Sequence, residues 1–320
     1  MQEVIREKAA SLLRDGTVTR VLAWKRGELG YDVTPAVFTS EDQLSELVYN
    51  GFCGANMSKY TVKLSHGEGK TAVFLKPCDT YSFNQLLCEH RIIRDNVYVV
   101  GIPCDGMLDE GKMKHLVPEL LGAEEDETVH LTTYDDVLTT PRTELLLERC
   151  ENCKSRRHVV YDELLGDDGE VLDSHRFDEV ERLEAMTPDE RYAFWQGELS
   201  RCIRCNACRN VCPACTCEKC VFDNPESGVE NKAAANSFEE KLFHVIRAFH
   251  VAGRCTDCGE CSRVCPQNIP LHLLNRKFIS DINRLYGDYQ AGETDNGRSP
   301  LVNFNKGDGE PCDFDKGGRE

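Results

Sequence analysis

The sequence predicts an α/β N-terminal domain followed by a mostly α-helical second domain. Three observations predict it. Short apolar runs rich in β-branched residues alternate with helix-patterned stretches over residues 1–149, as in a largely parallel sheet with crossover helices. Capping boxes, an N1 proline and glycine stops then frame several helices over residues 187–287. Eleven of the 18 cysteines fall in that second part, most of them in two dense clusters.

The elements follow in order. Residues 2–15 read as an amphipathic helix (Val4, Ile5, Ala9, Leu12, Leu13) that Gly16 ends. TVTRVLAWK at 17–25 reads as a strand. Ser40 to Gln43 forms a capping box ahead of a helix that stops at Gly51. TAVFLK at 71–76 is a short strand, a helix follows near 81–90, and VYVVGI at 97–102 is a strand. Two strands run into a cysteine turn: Lys76-Pro-Cys78-Asp79 and Gly101-Ile-Pro-Cys104-Asp105-Gly106. The carboxyl ends of parallel strands are where ligands gather. Gly67-Glu-Gly69-Lys70 is too short for a phosphate loop and reads as a hairpin turn, and there is no G-x-G-x-x-G fingerprint.

Residues 150–186 form a polar connecting segment with a turn at Gly166 and Gly169. Thr187-Pro188-Asp-Glu190 is a capping box that opens a helix leading into the first cysteine cluster. Ser237 to Glu240 caps another, with Leu242, Ile246 and Phe249 on one face and Gly253 as its stop. Pro270 opens a last helix (Leu274, Phe278, Ile282, Leu285), and residues 288–320, rich in Gly, Asp and Asn, read as an extended tail.

Composition excludes some functions. The 55 acidic against 38 basic side chains give a net charge of −17, which disfavours nucleic acid and anionic membrane surfaces. An acidic shell suits solubility or docking to a basic patch on a partner. No run approaches a membrane span, and the first residues lack the apolar core of a signal peptide, so a cytoplasmic protein is expected. In such a chain 18 cysteines mean metal or redox chemistry rather than disulfides.

The clusters are Cys202-x2-Cys205-x2-Cys208-x3-Cys212-Pro213 and Cys255-x2-Cys258-x2-Cys261-x3-Cys265-Pro266. Three thiolates two residues apart can wrap three corners of a 4Fe–4S cubane, while the fourth, beside proline, points to the other cluster. The expected ligand sets are therefore Cys202, Cys205, Cys208 and Cys265 for one centre, and Cys255, Cys258, Cys261 and Cys212 for the other. Zinc also takes C-x2-C pairs, but rarely four cysteines at this spacing, twice. Cys215, Cys217 and Cys220 are either further ligands or spare thiols. Cys78, Cys104, Cys150 and Cys153 are either a third 4Fe–4S centre or buried cysteines behaving as small hydrophobes. Cys53, Cys88 and Cys312 look structural. The nine histidines are scattered; of His244 and His250, on different helix faces, His250 is expected to pack near a cluster.

The 42 residues between Cys212 and Cys255 hold a helix, which resembles the α-helical dicluster ferredoxin domain of heterodisulfide-reductase and succinate-dehydrogenase iron–sulfur subunits. Gly101-Ile-Pro-Cys104, the Cys150/Cys153 pair followed by Tyr161-Asp162 and Gly166-Asp167, and that module together resemble the deazaflavin-coenzyme hydrogenase/dehydrogenase beta-subunit family, which includes formate dehydrogenase beta subunits. The resemblance spans most of residues 50–285. It implies the third 4Fe–4S centre, FAD in the N-terminal domain, and other oxidoreductase subunits as partners. The donors available for a flavin are Asn56, Ser58, Lys59, Tyr60 and Lys76. The function expected is electron transfer between a two-electron site and a catalytic subunit of formate dehydrogenase, hydrogenase or heterodisulfide-reductase type. The alternatives are a dicluster relay or scaffold subunit without flavin or substrate, and a zinc-stabilised binding module.

Overall fold

The structure is a computed structural model that describes residues 1–224, 226, 237–303, 305, 306 and 308; of residues 237–241 it describes the backbone alone. Cys312, the side chains of the Ser237 capping box and most of residues 304–320 lie outside the described residues. The chain divides into two compact units, Met1–Ser174 and His175–Glu320. No helix among the described residues is long and apolar enough to cross a membrane.

In chain order, the first unit holds α1 (Gln2–Arg14), β1 (Arg20–Arg26), β2 (Val33–Phe38), α2 (Ser58–Ser65), β3 (Thr71–Leu75), α3 (Pro77–Cys88), β4 (Val97–Gly101), α4 (Glu110–Leu116), β5 (Gly122–Glu125), β6 (Val129–Thr132), β7 (Val137–Thr140), α5 (Glu148–Glu151) and β8 (Glu163–Leu164). Five strands form one sheet in the order β2-β1-β3-β4-β8. The central pairs β1–β3 and β3–β4 and the outer pair β4–β8 are parallel, whereas β2 runs antiparallel to β1. The unit is α/β as expected, but its sheet is mixed. Every residue of β3 is buried, which is why TAVFL reads as an unbroken apolar run. Strand β2 escapes the sequence pattern because Pro35 and weak alternation mark an edge.

Two further expectations change, and a second sheet adds to the first. The Ser40 box opens only a short 3-10 turn over Glu41–Glu46; Ser40 makes no side-chain cap bond, and the Gln43 side-chain oxygen accepts from the Thr39 N–H at 2.8 Å. The glycines at 67 and 69 join α2 to β3 rather than two strands of a hairpin. Gly69 is required there: its φ is +80°, and a Cβ would lie 2.3 Å from the Thr19 hydroxyl. Strands β5, β6 and β7 form a second, antiparallel sheet whose sequences GAEE, VHLT and VLTT carry little apolar signal.

The second unit contains α6 (Asp178–Glu184), α7 (Pro188–Ser200), α8 (Ala207–Val211), α9 (Ser237–Val251), α10 (Glu260–Arg263) and α11 (Leu271–Tyr286). The Thr187 box forms as read: its hydroxyl accepts from the Glu190 N–H, and the Glu190 carboxylate accepts from the Thr187 N–H at 2.9 Å. The face of α9 differs from the expected one. Phe243, His244, Arg247, Ala248 and Val251 are buried, while Phe249 is 61% exposed. Two polar residues thus stand on the covered side of α9, and the cysteine motifs explain why.

Candidate metal centres

The two cysteine motifs of the second unit share one backbone. In the first, Arg204 and Asn206 have φ of 54° and 61°; in the second, Asp257 and Gly259 have φ of 57° and 63°. These are equivalent positions on either side of the middle cysteine. Three of the four are not glycine, so each motif holds strain that its surroundings must support. Left-handed residues within such a turn aim successive N–H groups into one concavity, as in cradles for anionic groups. A short helix follows each turn, α8 after Asn206 and α10 after Gly259.

Cys202, Cys205, Cys208 and Cys265 line a common pocket with Phe243 and His244. That is the set expected from the swapped fourth cysteine. Cys208 is buried and Cys205 is exposed, so the pocket has one side toward solvent. Burial pushes the Cys208 thiol up to about 12, with the sulfurs of Cys261, Cys202 and Cys265 acting in the same direction and Arg247 opposing. The strained Arg204 lays its guanidinium over the Phe243 ring at 4.7 Å. His244 Nε2 lies 3.2 Å from the Cys202 sulfur. Burial, then the charges of Arg247 and Arg204, lowers the His244 imidazole to about 3, so it is neutral and Nε2–H can donate to sulfur. His250, the histidine expected near a cluster, is exposed instead. The two are six residues apart, and α9 turns only one of them inward.

In the second motif Cys258, Cys261 and Cys212 are buried. Cys212 packs with Cys255 around Val251. The Cys255 thiol is pushed well up, by burial first and then by Asp257 and the sulfurs of Cys258 and Cys212. The strained Asp257 is held by two arginines: Arg276 Nε donates to it at 3.0 Å and Arg176 at 3.3 Å. Asn275 Nδ2 lies 3.7 Å from the Cys261 sulfur. Of the other three cysteines, Cys215 packs beside Cys212 and Cys255, Cys217 is exposed, and Cys220 packs near Phe222 and bonds Arg209.

The first unit gathers its cysteines by topology. Leu75 and Gly101 are register partners at the ends of β3 and β4, so the turns carrying Cys78 and Cys104 start side by side. Cys150, on α5, accepts from the Met107 N–H at 3.3 Å. Gly106, at φ +98°, allows that approach, because a Cβ there would meet Leu146 at 2.9 Å and Cys150 at 3.3 Å. Burial drives the Cys104 thiol up to about 11, opposed by Lys76 and reinforced by Cys150. Cys78 is driven well up by burial and Asp79, and Cys104 is among its neighbours; Cys153 is raised by burial, with Cys150 as a neighbour. Cys53, read as structural, is also buried beside this group, its thiol raised to about 12 by burial with Lys76 and Cys104 nearby. No motif marks it in the sequence. Among the described residues no three His, Cys, Asp or Glu side chains close around a point as ligands of a single metal ion.

The five flavin candidates separate by burial. Lys76 is wholly buried: Nζ donates to the carbonyls of Cys53 (3.0 Å) and Ala55 (2.9 Å), pairs with Asp79 at 3.1 Å and sits 4.4 Å over the Trp24 ring. Asn56 is buried and donates to Ser82 Oγ at 3.0 Å, and Ser58 donates to the Asp79 carbonyl at 2.6 Å. Lys59 is half-buried and Tyr60 exposed. Asn56, Ser58, Lys59 and Tyr60 fall at or just before α2, which carries no clear helix signal in the sequence, whereas Lys76 caps the start of α3.

Residues 198–269 match the 4Fe-4S dicluster domain. The F420-dependent formate dehydrogenase subunit beta of Methanocaldococcus jannaschii is 25% identical, over 92% of this chain and 92% of the relative. The F420-dependent formate dehydrogenase 1 subunit beta of Methanococcus maripaludis is 24% identical, over 66% of this chain and 71% of the relative. The chain is a homologue of these oxidoreductase subunits. The resemblance expected from the cysteine turns therefore holds along nearly the whole chain. A solved F420-reducing [NiFe] hydrogenase complex from Methanosarcina barkeri aligns with 58% of this chain and 77% of its own, at TM-score 0.39 and 12% identity, too distant to argue from.

Proposed function

We propose that the chain is the iron–sulfur electron-transfer subunit of a cytoplasmic hetero-oligomeric oxidoreductase of the F420-dependent formate dehydrogenase or hydrogenase kind. The observation that carries it is the twofold occurrence of one strained cysteine turn, with Cys265 in the pocket of Cys202, Cys205 and Cys208 and Cys212 beside Cys255. Strain of this kind is retained where the chain must cradle a ligand. Cys202, Cys205, Cys208 and Cys265 hold one 4Fe–4S centre, and Cys255, Cys258, Cys261 and Cys212 the other. Such centres take up and release one electron at a time. The residues of this chain do the rest. Phe243, Ile269 and Leu271 exclude water from the first centre, His244 donates to one of its sulfurs, and the exposed side at Cys205 faces an exchange partner. The acidic shell suits docking to a basic patch on a catalytic subunit.

Cys78, Cys104, Cys150 and Cys153 hold a third 4Fe–4S centre in this reading. The donor chemistry fits, and three structural devices serve their convergence: the β3–β4 register, Gly106 and the Met107 N–H bond to Cys150. Flavin fits less well. Lys76, Asn56 and Ser58 would have to break buried bonds to serve a phosphate, which favours the second reading, a relay without flavin.

The test is iron, acid-labile sulfide and released flavin per chain, on protein purified without oxygen. About twelve irons support three centres and about eight support two. Cys104→Ser should then remove about four irons and leave the others. Iron near zero with bound zinc would sink the proposal, and one flavin per chain would exclude the relay.

A further inference from the structure

Arg247 is the buried polar residue that the fold of α9 leaves unexplained. It is 4% exposed. One guanidinium nitrogen donates to the Cys208 carbonyl at 3.2 Å, the group also bonds the Cys261 thiol, and Nε has no hydrogen-bond partner. After burial itself, the groups acting most strongly on its charge are the sulfurs of Cys212, Cys261, Cys208 and Cys215, in that order, and no carboxylate stands among these. Cys208 belongs to one proposed ligand set, and Cys212 and Cys261 belong to the other. A sealed cation is expensive unless anionic groups face it. Here the facing groups are the sulfurs of both sets.

We propose that Arg247 is a positioning residue that holds one fixed positive charge between the two 4Fe–4S centres and thereby raises the reduction potentials of both together. This rests on the two-centre reading above. Each centre gains a negative charge on reduction, and net charge and hydrogen bonds to the sulfurs are the levers by which a protein sets such potentials. A cation in a low-dielectric site acts more strongly than one at the surface. Because Arg247 donates to the Cys208 carbonyl in one set and bonds the Cys261 thiol in the other, its removal moves both centres in one direction. His244 touches a sulfur of the first set alone, so its removal moves one.

The experiment is an anaerobic redox titration followed by electron paramagnetic resonance, on the full chain and its Arg247→Met, Arg247→Gln, Arg247→Lys and His244→Phe variants. The expected result is that both midpoint potentials of the unit 2 centres fall in the neutral Arg247 variants, that Lys restores most of the loss, and that His244→Phe shifts the first centre. Potentials unmoved, moved at one centre only, or moved equally by Lys and Met would overturn the proposal. Iron lost from both neutral variants would overturn it as well, in favour of a packing role. A wild-type chain lacking two such centres would instead remove the reading on which the proposal stands.

Discussion

Each unit of this protein seals a basic side chain among cysteines, Lys76 in the first and Arg247 in the second, and these two are compensated differently. Lys76 in the first unit carries its own partners: the Asp79 carboxylate, two backbone carbonyls and the Trp24 face. Arg247 in the second has a carbonyl and thiols. A buried charge offset by a carboxylate is stable without cofactor. One offset by sulfur is stable only when the sulfurs are anionic, and burial pushes Cys208, Cys255 and Cys261 toward the neutral thiol. Deprotonated ligands and a bound metal go together. The compensation of Arg247 therefore depends on the state of the surrounding sulfurs, whereas that of Lys76 comes mainly from a carboxylate and two carbonyls.

The largest effect should come from removing iron. Chelation is expected to expose the 200–269 region to protease and erase much of its helical signal, while residues 1–149 stay protected. Equal loss in both units would break the comparison. Next, Lys76→Met strands the Asp79 carboxylate in the core and should cost the first unit about 3–5 kcal/mol. Adding Asp79→Leu should recover much of that in denaturant titrations, and no recovery would mean that the carbonyl bonds of Lys76, not the ion pair, hold the turn. The smallest is a pH effect. Burial acts to raise Asp168, but hydrogen bonds from the His158 ring, the His158 N–H and the Gly169 N–H outweigh it and lower its carboxyl below the usual range. A depressed carboxyl stabilises the fold above its unfolded value, near pH 4, and that contribution is lost as pH falls through the folded value. Protection factors around residues 158–169, taken relative to the intrinsic exchange rate at each pH, should thus fall on acidification, and Asp168→Asn should flatten the dependence. A mutant with the parent's pH profile would show that the clasp is not responsible.

Some of this is legible in the sequence alone. The cysteine spacing names a chemistry because ligand geometry is local: three thiols within seven residues and a proline beside the fourth can be read along the chain. Strand β3 could be read because burial on both faces leaves an unbroken apolar run, and the Thr187 box because its two hydrogen bonds span only three residues. Contacts set by distant partners could not. Cys53 carries no motif, and only the packing of its loop against Lys76 brings it beside Cys104. Nothing local distinguishes His244 from His250, or Arg247 from any helical arginine, until α9 is docked and rotated. The sequence by itself determined which side chains could bind iron, because that depends on element type and short spacing. Only the tertiary structure decided which cations and histidine face them, because helix rotation and strand register are settled by the whole core.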